Sequence, residues 1–95
     1  MFTPVYTKQF EKDVRLCVRQ GKNLEKFKIL ARTLLSGAPP DAIHRDHRLS
    51  RRLAERRDCH IESDWVLIYR IECDHLVFER MGSHSELFRK LPAQP

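Results

Sequence analysis

The chain has 95 residues, 41% of them apolar, 33% charged and 8% aromatic. That length supports one domain with one modest core and excludes a second, so residues 1–95 are read as a single domain. Eighteen Lys and Arg against 13 Asp and Glu leave a charge of +5, which favours a polyanion or an acidic protein as partner.

Taken in order, Met1 to Tyr6 is a short apolar segment with strand character. Pro4 cannot donate to a ladder, which places that strand at a sheet edge or leaves Pro4 at a non-bonded position. Thr7 offers a helix N-cap, and Phe10, Val14, Cys17 and Val18 follow at the spacing of one buried face, with Gly21 closing the helix. Asn23 is a second N-cap. Behind it Leu24, Phe27, Leu30, Ala31, Leu34 and Leu35 mark another amphipathic helix, stopped by Pro39 and Pro40. The opposite faces carry Lys12, Arg15, Arg19, Lys22, Lys26, Lys28 and Arg32, a solvated basic surface.

Between Ile43 and Arg57 lie six arginines, Arg45, Arg48, Arg51, Arg52, Arg56 and Arg57. Such a run can neutralise several phosphates, and the planar guanidinium fork suits phosphate oxygens; a charged connector paired with local acids is the other reading. Two strand patterns follow, Trp65 to Ile71 and Leu76 to Met81. Only Glu72, Cys73, Asp74 and His75 separate them, which forces an antiparallel hairpin. The start of the first strand therefore meets the end of the second, bringing His60, Asp64 and Trp65 toward Arg80 and His84. Two imidazoles, a carboxylate and a guanidinium gathered there suit proton transfer and phosphate stabilisation.

Ser83 with Glu86 three residues on is a capping box, so a short helix begins at Ser83 and carries Leu87 and Phe88. His84 falls in its first turn, where free N–H groups and the helix dipole favour a bound anion. Trp65 and Phe88 are candidates for stacking on bases, though a tryptophan opening an apolar strand is commonly core. His44 and His47 have an H-x-x-H spacing that nothing nearby completes into a four-ligand site, so no metal or other cofactor is expected. Cys17, Cys59 and Cys73 are odd in number and lack C-x-x-C spacing, which reads as small buried or half-buried thiols in a reducing compartment. With no membrane-spanning run and no signal-peptide core, a cytoplasmic location is expected.

The runs D-H-R-L at 46–49, R-D-C-H-I-E-S-D-W-V-L-I-Y at 57–69 and F-E-R-M-G-S-H-S-E-L-F at 78–88 resemble the YafQ-type branch of the RelE/ParE toxin superfamily. The likeness is close over the C-terminal half and looser over the N-terminal strand and helices. It implies a RelE-like α+β domain, two N-terminal helices packed on a small antiparallel sheet with a short C-terminal helix. It also implies the toxin of a type II toxin–antitoxin pair, an endoribonuclease that cuts messenger RNA, typically on the ribosome. The expected partners are a cognate antitoxin, messenger RNA and ribosomal RNA, with operator DNA reached through the antitoxin.

The site implied by the resemblance comprises His47, His60, Asp64, Trp65, Arg80, His84 and Phe88, to which the arginine run adds Arg51, Arg52 and Arg57 as RNA contacts. The chain departs from the branch between Leu49 and Arg57, where relatives carry glycines and an aromatic; here Arg51 and Glu55 replace the glycines and Leu53 the aromatic. The chemistry these residues allow is metal-independent attack by the RNA 2′-hydroxyl on the adjacent phosphorus. His84 is the expected donor to the 5′ oxygen, with Asp64 or His60 accepting the 2′ proton. Two other readings stay open, a ParE-like gyrase inhibitor that acts by binding, and a basic nucleic-acid or protein-binding module.

Overall fold

The computed structural model describes residues 1–48 and 56–88, with the backbone alone at His47 and Arg48. Strand β1 (Thr3–Tyr6) runs directly into helix α1 (Lys8–Arg19). Thr7 Oγ1 accepts from Phe10 N at 2.9 Å, so it caps α1 as its position implied. Gly21, at φ 80°, ends the helix: Gly21 N reaches Val18 O and Lys22 N reaches Cys17 O. Helix α2 (Leu24–Ser36) is capped by Asn23 Oδ1, 3.0 Å from Glu25 N. A 3-10 turn over Ala42–His44 leads to the two-residue strand β2 (His47–Arg48). Strands β3 (Arg57–Glu62), β4 (Trp65–Glu72) and β5 (His75–Gly82) and helix α3 (His84–Phe88) complete the described chain.

The sheet order is β1-β5-β4-β3-β2. An antiparallel sheet was expected, but β1 pairs parallel to β5, with Val5 opposite Val77, and the sheet is mixed. A four-residue apolar segment reveals that it is a strand, not which strand it joins or in which direction. Thr3 N to Asp74 O and Thr7 N to Phe78 O fix that choice. β1 is an edge strand, in keeping with Pro4. The β4–β5 turn is tighter than the four residues expected. Glu72 pairs with His75, leaving Cys73 and Asp74 to turn the chain, with Cys73 at φ 56°. β3 was missed as a strand, although polar Asp58, His60 and Glu62 alternate there with Cys59 and Ile61.

Alternation sorts the sheet's two faces. Cys59, Ile61, Trp65, Leu67, Tyr69, Leu76, Phe78 and Met81 join Phe10, Cys17, Leu30, Ala31 and Leu34 of the helices in the main core. Val66 and Ile68 point the other way, toward Leu87 and Phe88 of α3. Opposite Ile68 and Tyr69 stand Arg80 and Phe78, so Glu79 is an extra residue in β5. Thr7 Oγ1 donates to its carbonyl at 2.9 Å, joining the α1 cap to this bulge.

Two burial expectations fail. Val18 is 55% exposed, although Cys17 beside it is 1% exposed. Cys73 is exposed at the hairpin tip, whereas Cys17 and Cys59 are buried. Burial pushes the Cys59 thiol up to about 12, so it is inert at neutral pH.

Phe78 is fully buried, its ring 5.6 Å from those of both Phe10 and Phe27 and 5.2 Å from Tyr6. Phe78→Ala is therefore expected to destabilise the fold by about 3–5 kcal/mol in urea unfolding; a loss under about 1 kcal/mol would mean that the cluster is not the core's anchor.

Candidate active site

One row across the sheet carries His60, Val66 and Gly82 on adjacent strands. Past Gly82 the chain leaves β5 and enters α3 through the expected capping box: Ser83 Oγ accepts from Glu86 N at 3.1 Å, and Glu86 Oε1 accepts from Ser83 N at 2.9 Å. A β-carbon at Gly82 would lie 2.8 Å from that Glu86 oxygen, so glycine is what lets the cap close against the strand. Gln20 Nε2 donates to Glu86 Oε2 at 2.9 Å and ties the cap to the end of α1. The result is that His84 is set beside His60, ring centroids 5.1 Å apart and edge to face.

Asp64 is the second residue of the β3–β4 turn, a position suited to aspartate. Its Oδ1 accepts from His84 N at 3.0 Å and lies 2.7 Å from His84 Nδ1. A carboxylate only accepts, so Nδ1 carries a proton and Nε2 is left to exchange one. The hydrogen bonds from the His84 backbone and ring hold the Asp64 carboxyl below its ordinary value. This corrects the picture of an open anion site at the helix start: Asp64 itself is the anion there. His60 is largely buried, with Nε2 3.5 Å from Oδ1 of buried Asp58. His47 lies opposite Asp58 in the β2–β3 ladder. Phe88 is half-buried, its ring 6.0 Å from that of His84.

Asp58, His60 and His84 bring one ligand atom each to within 4.8 Å of one another. The metal candidate considered from sequence was different, and His44 is engaged elsewhere, its Nδ1 donating to His60 O at 2.7 Å.

Residues 2–89 match the model of a family described as the bacterial toxin YafQ of a type II toxin–antitoxin system. The chain belongs to the YafQ toxin family. It is 40% identical over 84 residues to the mRNA interferase toxin YafQ of Escherichia coli B / BL21-DE3, covering 87% of this chain and 91% of that one. The toxin in a crystal structure of the E. coli DinJ–YafQ complex superposes with a TM-score of 0.87 at 38% identity, covering 93% of this chain and 99% of that one. A copper-bound mutant toxin from Helicobacter pylori superposes with a TM-score of 0.90 at 34% identity, covering 93% and 100%.

In this YafQ-family chain the remaining site candidates divide. Trp65 is 1% exposed and belongs to the core, with Lys22 Nζ 5.7 Å from its ring centre; it has no face to offer a base. Arg57 lies on the helix side of β3, where its Nε donates to Asp46 at 3.1 Å beside the Tyr69 hydroxyl at 3.0 Å. The pairing pins the approach to β2 and leaves the Arg57 side chain 36% exposed. Burial, reinforced by Asp46, raises the Tyr69 pKa. On the other face Arg56 and Arg70 both pair with Glu79. Arg51 and Arg52 lie outside the described residues.

Arg80 is held by Asp13 of α1, a residue the sequence reading passed over. The signal was present: an acid three residues after Phe10 and four before Cys17, at the spacing of their apolar stripe.

Because the Asp64 pKa is depressed in the folded protein, its bond to His84 is intact above the unfolded carboxyl's range and is lost as pH falls through the lowered value. A carbon-13 titration of Asp64 should give a midpoint below 3.8, returning toward it in His84→Ala. An unshifted midpoint in the wild type would show that the pair does not persist in solution.

Proposed function

We propose that this chain is the toxin of a type II pair and cleaves messenger RNA on the ribosome. The observation that carries this reading is the His60–His84 pair with Asp64 fixed on His84 Nδ1. Two imidazoles about one phosphate apart can serve as base and acid in one in-line displacement. His60, beside Asp58, takes the 2′ proton; the 2′ oxygen attacks phosphorus; His84 Nε2 gives a proton to the departing 5′ oxygen. Of the two candidate bases named from sequence, Asp64 is the weaker, because both of its bonds go to His84. Arg80 supplies charge to the phosphorane, and half-buried Phe88 offers its ring for stacking on a flanking base. The E. coli relative carries the name mRNA interferase, which weighs against a gyrase inhibitor or a plain binding module.

The DinJ–YafQ complex supports a cognate antitoxin as partner. A groove between α1 and α2, lined by Tyr6, Phe10, Val14, Leu24 and Phe27 with Arg15 and Lys28 against a single acid, Glu11, suits an amphipathic acidic segment. Operator DNA would be reached through that antitoxin. Among the described residues no helix is long and apolar enough to cross a membrane, which fits a cytoplasmic toxin.

Purified toxin, ribosomes and messenger RNA test the reading. His84→Ala should fold normally and lose cleavage by about 100-fold or more. With Mg²⁺ kept to hold the ribosome together, cleavage should need no added transition metal and should fall with added Cu²⁺, because the donors Asp58, His60 and His84 would be occupied by a borderline divalent ion and their lone pairs withdrawn from proton transfer. Stimulation of cleavage by added Cu²⁺ or Zn²⁺ would instead make a metal part of the reaction.

Arg51 and Arg52 are tested by salt. If they bind phosphates, replacing both with Glu should flatten the dependence of RNA affinity on ionic strength by roughly two contacts. An unchanged slope would return the arginine run to a solvated connector.

A further inference from the structure

Asp13 is 5% exposed, and a buried carboxylate is rare unless paired. It accepts from Arg80 Nε at 2.9 Å and Nη2 at 3.2 Å, from the Met81 backbone at 3.0 Å and from Gln9 Nε2 at 3.2 Å. Closing the β5 edge would need only the Met81 bond, which a neutral amide oxygen can accept equally well. The two bonds to Arg80 exceed that need. They grip one edge of the guanidinium, Nε with Nη2, while the side chain remains 35% exposed. The fork of an arginine has a second edge, built on Nη1, and gripping the first sets the direction of the second.

We infer that Asp13 is a positioning residue for RNA cleavage, holding Arg80 so that its Nη1 edge faces the scissile phosphate. The inference rests on the proposed RNA-cleaving reading. Arg80 stands two residues before Gly82, opposite Ile68 and on the same sheet face as His60 and Gly82, close enough for a long side chain to serve the same phosphate. A guanidinium free to swing would bind the ground-state RNA nearly as well but would meet the developing charge less often. Loss of Asp13 should thus lower kcat rather than raise KM.

The test compares wild type, Asp13→Asn, Arg80→Ala and the double variant in ribosome-dependent cleavage. Asp13→Asn retains an acceptor for Met81 and should lose about 10- to 100-fold in kcat with KM changed less than about threefold. The double variant should be within about twofold of Arg80→Ala. Wild-type kcat in Asp13→Asn, or losses that multiply in the double variant, would overturn the inference. Should Asp13→Asn not fold, Arg80→Lys decides: lysine can pair with Asp13 but has no second edge, so wild-type cleavage by it would sink the idea.

Arginine-selective nitrogen-15 NMR separates this inference from the functional reading. In the wild type the Arg80 Nη signals should be distinct, slowly exchanging and shifted by a 2′-O-methyl RNA oligonucleotide. Freely rotating or unshifted signals overturn the positioning role whether or not RNA is cut. Uncut RNA in both wild type and His84→Ala overturns the functional reading alone.

Discussion

Helix α1 lies along β5 and α3, and three polar contacts fix its register: Thr7 on the Glu79 carbonyl, Asp13 on Met81 and Arg80, and Gln20 on Glu86. Apolar packing alone would let a helix slide over a sheet at little cost, because the hydrophobic effect has no direction. Hydrogen bonds have one, and leaving a buried one such as Met81 N to Asp13 unmade is costly. Through Glu86 this register reaches the capping box, and through the capping box it reaches His84.

The same economy governs the site's charges. In a chain of net charge +5, the acids that matter are placed where each holds a cation or an imidazole. Asp64 holds His84, Asp58 faces His60, Asp13 holds Arg80 and Asp46 holds Arg57. A carboxylate beside each positive group fixes its direction without cancelling the surplus charge at the surface. The basic faces of α1 and α2 stay solvated, as with exposed Lys12, Arg15, Arg19 and Arg32. What remains for a polyanion is a field from the surface and a set of aimed donors at one end of the sheet.

The site is also local in an instructive way. His60, Asp64 and His84 come from a strand, a turn and a helix start, yet one ladder row and one turn bring them together. Rigid elements on each side hold the two imidazoles, so the pair needs no ligand to form. Arg57 and Trp65, which share the same sequence runs, fall on the opposite face because strand neighbours alternate. Proximity in sequence therefore joined residues to the site that the pleat removes from it.

The sequence by itself determined the elements whose causes are local: the Thr7 and Asn23 caps, the Gly21 stop and the Pro39–Pro40 stop, the Ser83–Glu86 box and the β4–β5 hairpin that brings Asp64 to His84. Each depends on groups a few residues apart, or on the pairing that a short turn enforces. Only the tertiary structure decided the parallel docking of β1 on β5, the bulge at Glu79 and the partners of Arg80, Arg57 and Glu79. Those follow from contacts across long stretches of chain, such as Asp13 to Arg80, where composition and periodicity carry no record of which surfaces meet. The physical reason is that a cap closes within its own turn of backbone, whereas a buried ion pair takes whatever partner the packed core leaves within reach.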